Sequence, residues 1–251
     1  MLHRPPLKPA RESSALDNRL IAAISNADYA RMKPDLEFLE LPLGSVLYEP
    51  ESLLRHVYFP TTCIVSLLYV MVDGASAEIA VVGNDGMVGT SLFLGGGTTP
   101  SRAVVQNAGI TYRMKVAPFL AEVQRHSELE AVLLRYTQAL LTQMVQTAAC
   151  NRHHTIDQQF CRWLLLSLDR LPTSELTMTE ELIAKMLGSP VADVMALADG
   201  LQVLGLLSHR GGQIRVLDRP GLEQKSCECY RVVKAETDRL LPPRVSPSPV
   251  S

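Results

Sequence analysis

The sequence predicts an α+β fold: an N-terminal β jelly-roll barrel, then a long dimerisation helix, then a C-terminal winged helix-turn-helix. Three observations predict it. Short β-rich runs, punctuated by Gly, Pro, Asn and Asp, fill residues 36–114. Apolar residues recur at steps of three and four between Leu129 and Thr147. From Met178 onward, two short amphipathic helices meet at a glycine, and a hairpin pattern follows.

The elements follow in order. Residues 1–15 are Pro/Ser-rich and are expected to form a disordered arm, as is the tail, 242–251. A short helix is expected over Leu16 to Met32. The runs "GSVLYE", "RHVYFP", "CIVSLLYVM", "AEIAVVG", "RAVVQ" and "GITYRM" read as strands of a barrel domain spanning 16–126. "LGGGTTPS" interrupts them, and its three successive glycines suit a strand connection. "KVAPFLAEVQRH" reads as a short helix. Ser127 is a candidate N-cap with Glu130 three residues on. The helix over 127–150 carries Leu133, Tyr136, Leu140 and Met144 on one stripe, which suits a dimer seam. The competing reading of that stripe is packing on the barrel.

The rest of the chain, 151–241, reads as the helix-turn-helix domain. "NRHHT" is a break, and Thr155 caps a helix that ends before Pro172. Thr179 caps the next helix, whose inner face is Leu182, Ile183, Met186 and Leu187. Gly188 supplies the turn. Ser189 caps the second helix with Pro190 at its first position, and Val194, Leu197, Ala198, Leu201 and Leu204 form its inner face. "LLSHRGGQIRVLD" is a hairpin around Gly211 and Gly212.

The second helix raises a chemical question. Val191, Ala192, Asp193, Met195 and Ala196 are its outward positions, and none can make the bidentate base contacts of Arg, Asn or Gln. From Met178 to Leu204 four acids (Glu180, Glu181, Asp193, Asp199) face one base, Lys185. A duplex-binding surface normally gains affinity from bases that release counterions, so this one starts at a loss. His209, Arg210 and Arg215 on the wing, with Arg152 and Arg162, are the candidates to compensate.

Composition narrows the function classes. The chain has 251 residues, 47% of them hydrophobic, and a formal charge of −2, so it can bury a large core but has no global basic footprint. The longest apolar run, Cys63 to Val72, is too short to span a bilayer. Five cysteines without a regular framework point to free thiols in a reducing compartment, the cytoplasm. Neither a nucleophile elbow nor a phosphate-binding P-loop occurs, so no enzyme activity is expected. Cys150, His153, His154, Asp157 and Cys161 lie close in sequence but straddle the "NRHH" break, so they are read as a polar hinge rather than a metal site. Cys227 and Cys229 are expected to pack under the wing. No metal and no cofactor are expected.

Many spaced segments carry a resemblance: "LPLGSVLYEP", "HVYFPTTCIVSLL", "GNDGMVG", "RAVVQNAG", "NRHHTIDQQFCRWLLLSLDRL", "LTMTEELIAKMLG", "LQVLGLLSHRGGQIRVLDRPGLEQKSCECY" and "DRLLP". Over about residues 16 to 241 the chain resembles the Crp/Fnr transcription regulators. The resemblance implies a cyclic-nucleotide-binding-type jelly roll, a dimerisation helix, and a homodimer on near-palindromic double-stranded DNA. It places base-reading positions on Val191, Ala192 and Ala196, which with Ser189, Asp193, His209 and Arg210 of the helix and wing are the expected DNA-binding residues. It places an effector pocket on Gly89, Thr90, Ser101, Arg102 and Ala103. Here Gly89 is followed by Thr90 rather than Glu, and Arg102 by Ala103 rather than Ser, so cyclic-AMP binding is not expected; a different small-molecule effector, or none, is. No cysteine precedes Cys63, which argues against an N-terminal iron–sulphur cluster. The alternative expectation is a dimeric interaction protein that has lost operator binding through its apolar second helix and pairs with a related regulator as a heterodimer.

Overall fold

The computed structural model describes residues 13–72, 74, 76–126 and 128–242. The expected N-cap Ser127, the tail beyond Pro242 and most of the arm lie outside the described residues. The stretch read as one helix from Leu16 to Met32 is two, α1 (Arg19–Ala23) and α2 (Asn26–Met32). The break is chemical: Asn18 caps the first through the amides of Leu20 and Ile21, and Ser25 caps the second through Asp28.

Seven strands follow: β1 (Glu37–Leu41), β2 (Val46–Tyr48), β3 (His56–Pro60), β4 (Ile64–Val70), β5 (Ser76–Val82), β6 (Ser101–Asn107) and β7 (Gly109–Lys115). They form two antiparallel sheets, β1-β7-β3 and β2-β6-β4-β5. Val57, Phe59, Val65, Val82, Val105 and Met114 are buried among the residues that fill the space between them. Period-2 alternation in "RAVVQ" and "AEIAVV" is weak because the second sheet is covered on both faces. One face meets the barrel core and the other meets the C-terminal helices.

Helix α3 (Val116–Val123) leads to α4 (Glu128–His153), 26 residues long. Leu133, Tyr136 and Leu140 are buried in the chain's own barrel core, with Met144 packed against it, and the Tyr136 hydroxyl donates to the Met87 carbonyl at 2.9 Å. This corrects the expected seam: the stripe Leu133, Tyr136, Leu140, Met144 is intramolecular packing. A neighbouring face leaves Leu134, Leu141 and Val145 more than half exposed. α4 also continues past the expected break to His153.

The C-terminal part is α5 (Ile156–Leu168), β8 (Glu175–Thr177), α6 (Glu180–Leu187), α7 (Val191–Val203), β9 (Leu207–Arg210), β10 (Gln213–Val216), α8 (Arg219–Lys225) and α9 (Glu228–Leu240). Thr155 and Gln158 form a capping box on α5. The wing is three-stranded, β8-β10-β9, because Gln213, Ile214 and Arg215 also pair with residues 175–177, a strand the sequence pattern did not reveal. A second core gathers Phe160, Trp163, Leu164, Ile183, Met186, Val194, Leu201, Leu207, Ile214 and Tyr230, and it includes Ile64 and Val81 of the barrel. No helix among the described residues is long and apolar enough to cross a membrane.

Candidate nucleic-acid interface

The helix-turn-helix is built as its local chemistry dictates. The Thr179 side chain accepts from the Leu182 amide to start α6, and Gly188 ends it at φ 62°, a conformation glycine adopts without strain. The start of α7 differs by one residue from expectation. Pro190 is the N-cap, with extended backbone (φ −57°, ψ 145°), and Ser189 lies outside the helix. Pro fixes φ but leaves ψ free to enter the helix late, and it offers no side-chain acceptor, so α7 begins without a side-chain cap.

Val194, Ala198 and Leu201 turn α7 onto the second core. Leu204, expected on that inner face, is 58% exposed, and Leu206 after the turn is buried in its place. Val191, Ala192, Asp193 and Ala196 are exposed, and Met195 is half-buried, so the first turns of α7 are free to enter a groove. The exposed surface at the start of α7 therefore carries no base and one acid, Asp193.

The compensating bases fare unequally. Arg210 and Lys185 are exposed. His209 is held against α7 instead of facing outward: its Nε2 lies 2.8 Å from Asp199 Oδ1, and its amide donates to Gln202 Oε1 at 2.9 Å. This pair ties the wing to α7 and partners one of the four acids. Arg215 lies 3.5 Å from Glu175 across the wing. Arg162, expected to face phosphate, is buried and donates to Thr147 Oγ1 at 3.2 Å. Arg152 and His153 are exposed at the end of α4.

The five residues expected at an effector pocket do not line the main cleft of the barrel. Ser101 and Ala103 are buried in β6, and Arg102 pairs with Glu49 at 3.0 Å. Gly89 is left-handed at φ 104°, packed where an added Cβ would lie 3.3 Å from the His56 carbonyl, and Thr90 follows it in a 3-10 turn. A cavity of about 690 Å³ is an open cleft between the "LGGG" loop, residues Leu53–His56 and the start of α3. Gly95, Gly96, Gly97, Arg55, His56 and Lys115 are among its lining residues, so two cationic side chains, Arg55 and Lys115, border it.

Residues 158–225 match the Crp-like helix-turn-helix domain family. No curated protein matches the chain. Among solved structures, FixK2 from Bradyrhizobium japonicum is similar at a TM-score of 0.64 and 16% identity, covering 76% of this chain and 98% of its own. A CRP-family transcriptional regulator from Thermus thermophilus gives 0.58 at 17% identity, covering 75% of this chain and 96% of its own. The c-di-GMP-responsive global regulator CLP of Xanthomonas campestris gives 0.57 at 15% identity, covering 76% and 99%. At these identities the structures speak for the fold and the domain match for the helix-turn-helix. The barrel, the long α4 and the C-terminal part thus share the fold of these regulators, and residues 158–225 are a Crp-like helix-turn-helix domain.

Proposed function

We propose that the protein is a homodimeric transcription regulator that reads a two-fold-symmetric DNA site through the apolar first turns of α7, under control of a small-molecule effector other than cyclic AMP. A regulator acting on chromosomal DNA in this way works in the cytoplasm. The carrying observation is the geometry of α7: its inner face is locked into the second core while Val191, Ala192, Asp193 and Ala196 stand free at its start. Apolar side chains at those positions suit thymine methyl groups in the major groove, and Asp193 suits an amino group of cytosine. Counting Lys185 and Arg210 alone on each protomer, a dimer would neutralise about four phosphates. Its log K against log salt would then fall with a slope of roughly −4, shallow for a specific regulator. Selection from a randomised duplex pool at two salt concentrations tests this. Enrichment of a symmetric, A·T-containing motif is expected, and failure of any motif to enrich would sink the reading.

The dimer seam in this proposal is Leu134, Leu141 and Val145, seven and four residues apart on the exposed face of α4. Leu141→Glu is expected to give a monomer in sedimentation velocity and to abolish binding to a symmetric site, with the fold intact by circular dichroism. A variant that stays dimeric would move the seam elsewhere.

A second reading rests on the same apolar face together with the withdrawal of Arg162 and His209 from the surface. The protein then pairs with a related regulator as a heterodimer and controls it without reading bases itself. Binding that vanishes at the higher salt with no motif enriched would favour this reading.

A further inference from the structure

The end of α4 carries a feature that DNA reading does not use. The His154 amide donates to the Cys150 carbonyl at 3.0 Å, so the two side chains leave the same face of the last turn. Against that face comes the start of α9, where Cys227 is the N-cap and Cys229 stands in the first turn. Three Sγ atoms and a His154 ring nitrogen all lie within 4.8 Å of one another. Cys150 Sγ is 3.5 Å from Cys227 Sγ, and Cys229 Sγ is 3.6 Å from His154 Nδ1. Four ligands held tetrahedrally at zinc–ligand distances of about 2.0–2.3 Å stand roughly 3.5–3.8 Å apart.

Packing alone gives a poor account of this cluster. The three cysteines are buried yet form a group separate from both apolar cores. Cys63 and Cys161, by contrast, sit inside those cores. The histidine is also prepared. Its Nε2 lies 3.2 Å from the Glu228 carboxylate, which fixes the proton on Nε2 and leaves the Nδ1 lone pair facing the thiols. A carboxylate behind a ligating imidazole is the usual support of such a ligand. The buried Arg162 guanidinium places a positive charge near Cys150 and Cys229, and its Nε has no hydrogen-bond partner among the described residues. That charge would offset the single negative charge left by three thiolates around a divalent ion.

We propose that Cys150, His154, Cys227 and Cys229 bind one Zn²⁺ in a closed structural site that fastens α9 to the end of α4. Thiolate-rich donors favour zinc over magnesium or calcium, and four protein ligands leave no open position for catalysis. On binding, the three thiols lose their protons to solvent, His154 stays neutral, and no electron is transferred. The sequence alone points to a hinge here because the pairs Cys150/His154 and Cys227/Cys229 are more than seventy residues apart. The C-x-C pair and the C-x-x-x-H pair are the signal, legible only once α9 is known to return to α4.

The test uses the full-length protein purified without chelator. Elemental analysis is expected to give one zinc per chain. Replacement by Co²⁺ is expected to give thiolate-to-cobalt charge transfer and the strong visible bands of a tetrahedral ion, and X-ray absorption to give three sulphurs and one nitrogen. Cys161→Ala should retain the metal, and Cys229→Ser should lose at least nine-tenths of it. Should Cys229→Ser fail to fold, the cobalt spectrum and ligand count of the wild-type chain decide alone. Metal-free wild-type protein, a Cys150–Cys227 disulfide by mass spectrometry, an oxygen-dominated shell, or iron with acid-labile sulphide would each overturn the proposal.

Discussion

Arg170→Ala is expected to destabilise the protein by about 3–5 kcal/mol, the cost of removing one partner from a buried ion pair. Arg170 and Asp85 are both nearly inaccessible, and the guanidinium grips the carboxylate with Nε at 3.1 Å and a second nitrogen at 2.9 Å. The same guanidinium donates to Gln143 Oε1 at 2.7 Å and to the Leu166 carbonyl at 2.6 Å. It therefore joins the barrel, α4 and α5 at one point. Removing it leaves Asp85 charged, buried and alone, and strands the Gln143 oxygen. Urea unfolding of the variant checks the figure. A loss below about 1 kcal/mol would mean that water reaches Asp85 and that the triple junction contributes little.

Stability is expected to fall by on the order of 3 kcal/mol as pH rises from 4.5 to about 7, on account of Glu78 alone. Burial pushes this carboxyl up from 4.5 to about 7, against the opposing effects of the Ser66 hydroxyl, Arg162 and Arg170. The sign follows from proton counting. Between those values the folded chain holds the proton and the unfolded chain has lost it, so raising the pH favours unfolding; above both values the penalty is constant. The hydrogen-bond chain agrees. Ser66 Oγ lies 2.5 Å from Glu78 Oε2 and is also bonded to Gln106 Oε1, yet it has one proton to give. A protonated Glu78 donates to Ser66, Ser66 donates to Gln106, and Gln106 donates to Ser167 on α5 at 3.1 Å. Ionising Glu78 removes a donor from that chain. Glu78→Gln keeps a donor and should flatten the profile across this window. A wild-type profile already flat there would show that the carboxyl titrates normally.

The helix-turn-helix was the most legible part of the sequence because its signals are local. Thr155, Thr179 and Gly188 each act within four residues, and the structure places each where the sequence predicts. The wing hairpin is set by Gly211 and Gly212 in the same way. What escaped is what depends on distant partners. Strand β8 is three residues long and exists only because β10 lies beside it. On α4, Leu133 and Leu134 begin two apolar stripes with nearly the same spacing, so periodicity cannot say which one meets the barrel. Arg162 looked like a surface base, yet Thr147 and the buried thiol cluster surround it. The cleft lined by Gly95, Gly96 and Gly97 was visible only as a glycine run, because Arg55, His56 and Lys115 reach it from two other segments.

The joint between barrel and reading domain has a mechanical consequence. Ile64 and Val81 of the barrel belong to the same core as Phe160, Ile183 and Met186, and the Thr177 amide donates to Asn107 Oδ1 at 3.2 Å. Two bodies welded through a shared interior do not pivot independently, since prising them apart exposes apolar surface on both. Each chain is thus stiff from the glycine-lined cleft to α7. In the homodimer proposed above, what a ligand would change is the angle between two such stiff chains, and with it the spacing at which two copies of α7 are presented.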